Sequence, residues 1–347
     1  MQSFASLLSW YDAHARDMPW RVAPSDRKSG IVPDPYHVWL SEVMLQQTTV
    51  VAVVDYFNKF IGLWPDVSAL AAADDADVMA AWAGLGYYAR ARNLLKCARV
   101  ITDQYDGQFP DDPAALLKLP GIGPYTAASL SAIAFDLPET VLDGNVERVM
   151  ARQYAITKPL PDCKEDLRVL AASRTPKERA GDYAQAVMDL GATSCTPKSP
   201  KCDICPWLEG CKAHAQGIEA TLPKKRPKPE KPIRVGVAYV VHDGIGVLLE
   251  TRPDKGLLGG MLGWPGSDWA VEQVAHDPPI DDVHWMTLNE TVRHTFTHFH
   301  LYLTVKVAHI DTDLRSDMVD LNRFDANSLP TVMRKVWMAA KRNVING

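Results

Sequence analysis

Through the first two thirds of the chain, apolar positions recur at three- and four-residue spacing, the period of a helix that buries one face. Phe4, Leu7, Leu8 and Tyr11 predict an amphipathic helix within Met1–Trp20. The same period predicts helices over Tyr36–Phe60, Ala69–Ala81, Ala89–Tyr105, Asp112–Lys118, Thr126–Phe135 and Val146–Ala155, and helical patterning continues to about residue 220. Gly- and Pro-rich stretches separate these segments. The longest, Val22–Pro35, is charged and is expected to be a mobile loop. Leu222–Pro232 then reads LPKKRPKPEKP, a composition that cannot build a core and predicts a semi-rigid tether. Beyond it the period changes to two. Val235–Val241 and Gly246–Thr251 predict strands joined by a turn at Asp243–Gly244, Thr295–His309 alternates again, and Pro330–Arg342 predicts a closing helix. The expected organisation is a mainly α region over 1–221, a linker over 222–233 and an α+β domain over 234–347.

Composition adds limits more than direction. With 347 residues the chain has room for two domains, and 47% hydrophobic with 23% charged residues is the profile of a soluble globular protein. A net charge of −5 excludes a globally basic nucleic-acid coat but leaves room for a local basic surface. No apolar run is long enough to span a bilayer, and the first twenty residues lack the features of a signal peptide, so a cytoplasmic protein without a membrane partner is expected.

Cysteine usage is the first chemical signal. Cys97 and Cys163 are scattered, whereas Cys195, Cys202, Cys205 and Cys211 crowd into one stretch with x6-x2-x5 spacing. Four soft thiolates suit zinc or an iron–sulfur cluster, and ligand type alone does not choose between them. The segment Leu119–Ala127, LPGIGPYTA, is a tight turn with two glycines, Gly121 and Gly123, ahead of a helix. It is either a plain connection or a place where exposed N–H groups meet a phosphate. Asp143, in Leu142-Asp143-Gly144-Asn145-Val146, is placed to cap the next helix. Glu42 lies on a helix among Val38, Trp39 and Leu45, where desolvation raises a carboxyl pKa and retains a proton near neutrality. Two carboxyls in unlike surroundings can divide the work of breaking a glycosidic bond.

Taken in order, the Trp39–Thr48 run WLSEVMLQQT, the hairpin, Asp143 and the cysteine loop resemble the MutY-type adenine DNA glycosylases of the endonuclease III superfamily, and the resemblance covers nearly the whole chain. It implies a helix-hairpin-helix glycosylase region, a six-helix barrel plus iron–sulfur subdomain, followed by a Nudix-like domain. It also implies a structural [4Fe-4S] cluster on Cys195, Cys202, Cys205 and Cys211, shaping a basic loop with Lys198, Lys201 and Lys212. In the implied chemistry, Glu42 protonates adenine and then handles water, Asp143 stabilises the oxocarbenium ion, and Asn145 and Tyr125 line the same pocket. Relatives that also cut the backbone carry a Schiff-base lysine where this chain has Tyr125, so a monofunctional enzyme is expected.

The implied partner is double-stranded DNA with adenine opposite 8-oxoguanine or guanine, engaged by a monomer that would be nucleoid-associated in a bacterium. The adenine must be flipped out of the stack. Gln47 corresponds to a glutamine wedged into the duplex. Leu85 and Tyr87, in Gly84-Leu85-Gly86-Tyr87-Tyr88, correspond to the loop that inserts an aromatic beside the lesion. Phe296-Thr297-His298 matches a Phe-Ser-His loop contacting 8-oxoguanine, with Thr in place of Ser. After Gly266 the chain reads SDWAVEQVAHD, without the glutamate cluster a Nudix hydrolase uses for Mg²⁺, which predicts a reader and not a pyrophosphatase. Two alternatives stand beside this: an endonuclease III-type pyrimidine or thymine glycosylase, and a catalytically silent iron–sulfur DNA-binding or redox-sensing protein.

Overall fold

The computed structural model describes residues 4–227, 229–253, 256–272, 276–310 and 318–342. Positions 1–3 of the amino-terminal segment, Lys228 of the expected tether and positions 273–275 of the SDWAVEQVAHD stretch lie outside them. The chain divides into two compact units, Met1–Pro227 and Lys228–Gly347.

The first unit is helical: α1 (Phe4–His14), α2 (Pro24–Lys28), α3 (Pro35–Met44), α4 (Val50–Leu63), α5 (Val67–Ala71), α6 (Asp75–Ala81), α7 (Ala89–Tyr105), α8 (Pro113–Leu116), α9 (Pro124–Phe135), α10 (Gly144–Gln153), α11 (Lys164–Ala172), α12 (Ala180–Thr193) and α13 (Lys212–Ala215). Local chemistry sets several of the starts. Asp34, Thr49, Asp66, Asp112 and Asp143 each accept a backbone N–H of the following turn, and Pro35 and Pro113 occupy first helical positions that need no donor. One continuous apolar core, including Trp39, Phe57, Phe60, Trp82 and Trp207, runs through the unit.

The structure departs from the sequence pattern in several places. The predicted helix over Tyr36–Phe60 is two helices, because the chain turns at Leu45–Thr49 with Gln47 at φ 59°. Ala69–Ala81 is likewise broken between α5 and α6. Apolar spacing alone does not register a break when both pieces face the same core. The amino-terminal helix ends at His14, and Phe4 is exposed. Val22–Pro35 carries α2 and is fastened down: Arg27 reaches the Ile133 carbonyl, Asp136 and Asp182, and Lys28 pairs with Asp12 at 2.7 Å. Those acids lie far away in sequence, so the charges that looked like solvated loop are ion-pair partners.

The tether also begins inside the first unit. Leu222 is buried, and Leu160 exchanges backbone hydrogen bonds with Lys224 and Arg226.

The second unit has a five-stranded sheet of order β5-β6-β1-β2-β7: β1 (Ile233–His242), β2 (Gly246–Leu248), β5 (Met286–Thr295), β6 (His300–His309) and β7 (Met318–Asp320). A short pair, β3 (Glu250–Thr251) with β4 (Leu262–Gly263), lies outside it. β1 and β6 run parallel over ten residue pairs, and seven consecutive β1 residues are buried, as a strand covered on both faces requires. Thr295–His309 is the end of one strand, a turn at Phe296–Phe299 and a second strand, and not a single alternating run. α14 (Thr331–Ala340) packs Val332, Met333, Val336 and Trp337 against the sheet, with Trp264 stacked on Trp337 and donating to the Met333 carbonyl at 2.8 Å. Among the described residues, no helix is long and apolar enough to cross a membrane.

Candidate active site

A cavity of about 890 Å³ opens into the first unit, large enough for a nucleobase with its sugar. Glu42, Gln47, Tyr125, Asp143 and Asn145 all line it, contributed by α3, the turn after it, α9 and the start of α10. Helices distant in sequence thus bring together residues from both halves of the unit.

The two carboxyl groups sit in unlike surroundings. Glu42 is 7% exposed, and its pKa is pushed up to about 7. Burial is the main cause; the hydroxyls of Tyr125 and Ser129 and the charge of Arg21 oppose it, while the charge of Asp143 adds to it. Asp143 is the N-cap of α10. One oxygen accepts the Val146 N–H at 2.7 Å and the other accepts Asn145 Nδ2 at 2.8 Å, so the group is oriented as an acceptor. The first arrangement keeps a proton near neutrality, and the second fixes a carboxylate.

Tyr125 is held within this site, its hydroxyl 3.8 Å from Met188 Sδ, and burial beside Glu42 and Asp143 pushes its pKa well above 10. Gly121 has φ 76°, a conformation in which a side chain is strained, and a Cβ there would also come 2.9 Å from that of Asn93. Gly123 caps α9 in extended backbone, with Pro124 as the first helical residue.

Several residues of the site carried no sequence motif. Asp189, buried in the middle of α12, accepts Arg16 Nε at 2.6 Å and Arg21 Nη1 at 2.8 Å, and so anchors two arginines that line the cavity. Asp182 and Asp189, two acids seven residues apart in an otherwise mostly apolar helix, were the available signal. Arg148 joins Asn145 Oδ1 (2.8 Å) to the carbonyls of Gly191 (2.6 Å) and Cys195 (2.8 Å).

Cys195, Cys202, Cys205 and Cys211 line one small, mostly apolar cavity. The donor set fits an iron–sulfur cluster: four thiols converge, and the buried Arg152 reaches Cys195 Sγ at 3.2 Å and the carbonyls of Thr196 and Pro197. Burial raises the pKa of Cys202, Cys205 and Cys211, Cys205 to about 11, so these thiols would give up their protons only on binding iron.

Sequence comparison agrees with this geometry. Residues 40–171 match the HhH-GPD superfamily of base excision DNA repair proteins, residues 195–211 the iron–sulfur binding domain of endonuclease III, and residues 236–339 a NUDIX domain. An adenine DNA glycosylase of Buchnera aphidicola subsp. Schizaphis graminum is 31% identical, over 86% of this chain and 84% of that protein. The chain belongs to the adenine DNA glycosylase family. The adenine DNA glycosylase of Rattus norvegicus is 42% identical over 63% of this chain and 43% of its own length. Against the rat, mouse and human relatives this member of the family spans 43–65% of their length. The solved structure of a thermostable thymine-DNA glycosylase superposes with a TM-score of 0.53 at 27% identity, covering 61% of this chain and 95% of that one. The cofactor of this family member is a [4Fe-4S] cluster on the cysteine loop.

The remaining candidate residues lie elsewhere. Tyr87 is half exposed with φ 51°, whereas Leu85 is buried and offers its carbonyl, not its side chain. In the second unit, Phe296 stacks on Trp269 at 5.6 Å and touches Phe299 and His294, while Thr297 and His298 stand exposed at the tip of the β5–β6 turn.

Proposed function

We propose that this chain removes adenine mispaired with 8-oxoguanine or guanine from duplex DNA, by hydrolysis and without lyase chemistry. One observation carries the proposal: a desolvated Glu42, whose pKa is raised to about 7, and an oriented Asp143 face a single base-sized cavity. Glu42 delivers its proton to the departing adenine, whose neutral form leaves more readily than its anion. Asp143 then stabilises the cationic sugar, held in place by its own helix cap and by Asn145. After base loss, Glu42 is a carboxylate and can take a proton from the attacking water.

Tyr125 has no amine to form an imine, and Lys164, the amine among the cavity-lining residues, is paired with Glu147 at 3.2 Å. The exposed Thr297 and His298 are suited to hydrogen-bonding the oxidised base, and Phe296 beside them is stacked on Trp269. Gln47 and Tyr87, both exposed, are the groups assigned to the space vacated by the flipped nucleotide.

The test is single-turnover base release from duplexes with adenine opposite 8-oxoguanine, adenine opposite guanine, thymine opposite guanine, and an A·T control, each read with and without hot alkali. Strand breaks only after alkali, and only with the adenine mispairs, are expected. Breaks without alkali would overturn the monofunctional reading, and release of thymine would overturn the adenine assignment. Asp143→Asn is expected to abolish release while leaving duplex affinity within about threefold; loss of both together would remove the role given to Asp143.

A further inference from the structure

Two separate turns carry the groups assigned to probing the duplex, and one side chain ties them to each other. Gln47 lies in the turn after α3, and Tyr87 lies in the turn before α7; both are non-glycine residues at positive φ, 59° and 51°. Such conformations persist only where neighbouring contacts over-determine them. The guanidinium of Arg90 supplies those contacts to both turns. Its Nη1 donates to the carbonyls of Val43 (3.2 Å), Met44 (3.1 Å) and Gln46, and its Nη2 to the Thr48 hydroxyl (3.2 Å) and the carbonyls of Leu85 (3.2 Å) and Gly86 (3.4 Å).

Gln47 is therefore held through both of its sequence neighbours, and Tyr87 through the two residues before it. The same guanidinium lies 5.2 Å from the centre of the Tyr87 ring and 5.5 Å from that of Trp82, whose indole N–H donates to the Gly86 carbonyl at 3.1 Å. No basic residue of α3 itself lies in its last turn, so Arg90 also provides the positive charge its terminal carbonyls favour, one residue beyond Glu42. A planar fork with fixed donor directions can bridge carbonyls on opposite sides; a lysine, a point charge with three donors, cannot reproduce the pattern.

We propose that Arg90 is a positioning residue that makes Gln47 and Tyr87 one reading unit, so that the two probes engage a duplex together or not at all. The inference rests on Gln47 and Tyr87 contacting DNA as proposed above. A mismatched fit at either probe is then felt at the other and at the end of α3, next to Glu42.

A double-mutant cycle tests this with full-length, cluster-loaded protein and a duplex carrying a non-hydrolysable 2′-fluoro-deoxyadenosine opposite 8-oxoguanine. Dissociation constants are measured for Gln47→Ala, Tyr87→Ala and the double variant, with Arg90 intact and with Arg90→Lys. With Arg90, each single substitution is expected to weaken binding nearly as much as both together, a departure from additivity of about tenfold or more. With Arg90→Lys the effects should add to within about twofold. In single-turnover base release, Arg90→Lys should raise the half-saturating protein concentration more than it lowers the maximal rate.

Thermal melting and the visible absorbance of the cluster establish that the variants fold. Should Arg90→Lys not fold, Thr48→Val removes one acceptor of the clamp without touching the charge and is expected to reduce the coupling. Additive effects with Arg90 intact, equal coupling in both backgrounds, or no effect of either single substitution would each overturn the proposal. Coupled binding without adenine release from any natural duplex would instead refute the proposed activity and leave the clamp standing.

Discussion

Replacing Tyr125 by Phe tests the electrostatics of the cavity directly. With its pKa near 7, Glu42 is about half protonated at pH 7, whereas an ordinary glutamate with a pKa near 4.5 would be roughly 0.3% protonated. Burial is what produces the proton, and the Tyr125 hydroxyl, by stabilising the carboxylate, restrains it. A hydrogen bond to a charged group is worth about 1.5–3 kcal/mol, and one pKa unit corresponds to about 1.4 kcal/mol. Removing the hydroxyl should therefore raise the Glu42 pKa by about one to two units.

In the proposed reaction the rate depends on protonated Glu42, so it should fall as pH rises through that pKa. The wild-type single-turnover rate should break downward near pH 7, and that of Tyr125→Phe near pH 8–9 on the order of the shift just worked out. Tyr125 itself, raised well above 10, does not titrate in this window. The assay is the maximal rate of adenine release at saturating protein, from about pH 5 to about pH 10 so that both expected breaks are bracketed, with each profile normalised to its own plateau. A limb that stays in place or moves to lower pH would refute the reasoning, because it would mean the hydroxyl does not favour the carboxylate.

Glu42 should also weaken the fold it serves. Its folded pKa is above its unfolded value, so its contribution is fully retained below about pH 4.5 and is lost as pH rises through about 7. The loss is on the order of 3 kcal/mol at pH 9, so Glu42→Gln should be inactive yet more stable than wild type there, with the difference vanishing toward pH 4.5 in denaturant titrations. Asp189→Asn should act oppositely: it leaves Arg16 and Arg21 without their buried counter-charge, costing about 3–5 kcal/mol and lowering the melting temperature of the first unit by about 10 °C or more. An unchanged melting temperature would show that these arginines find other partners.

Legibility differed between elements for physical reasons. The cap at Asp143, the tight glycine turn of the hairpin and the apolar stripe of α7 are local: the residue and its neighbours within one turn contain the whole cause. The cysteine spacing likewise announced a soft-metal site, because four thiols that close in sequence have few other uses. The Gln47 turn was not legible, since its two flanking helices face one core and the break is held by Arg90, forty-odd residues away. The fastened segment around α2 was not legible either, because whether a charge is solvated or paired depends on what stands opposite it.

The candidate chemistry divides along the same line. Sequence by itself determined which groups exist: a glutamate amid apolar neighbours, a capping aspartate, a tyrosine without an amine and four thiols. Only the tertiary structure decided that Glu42 and Asp143 share one cavity, that burial outweighs Tyr125, Ser129 and Arg21 in setting the Glu42 pKa, and that Asp189 orders the arginines beside them. Capping and helical periodicity act over one turn of chain, whereas desolvation and charge pairing depend on everything within several ångströms in space, and that neighbourhood is assembled only when the helices pack.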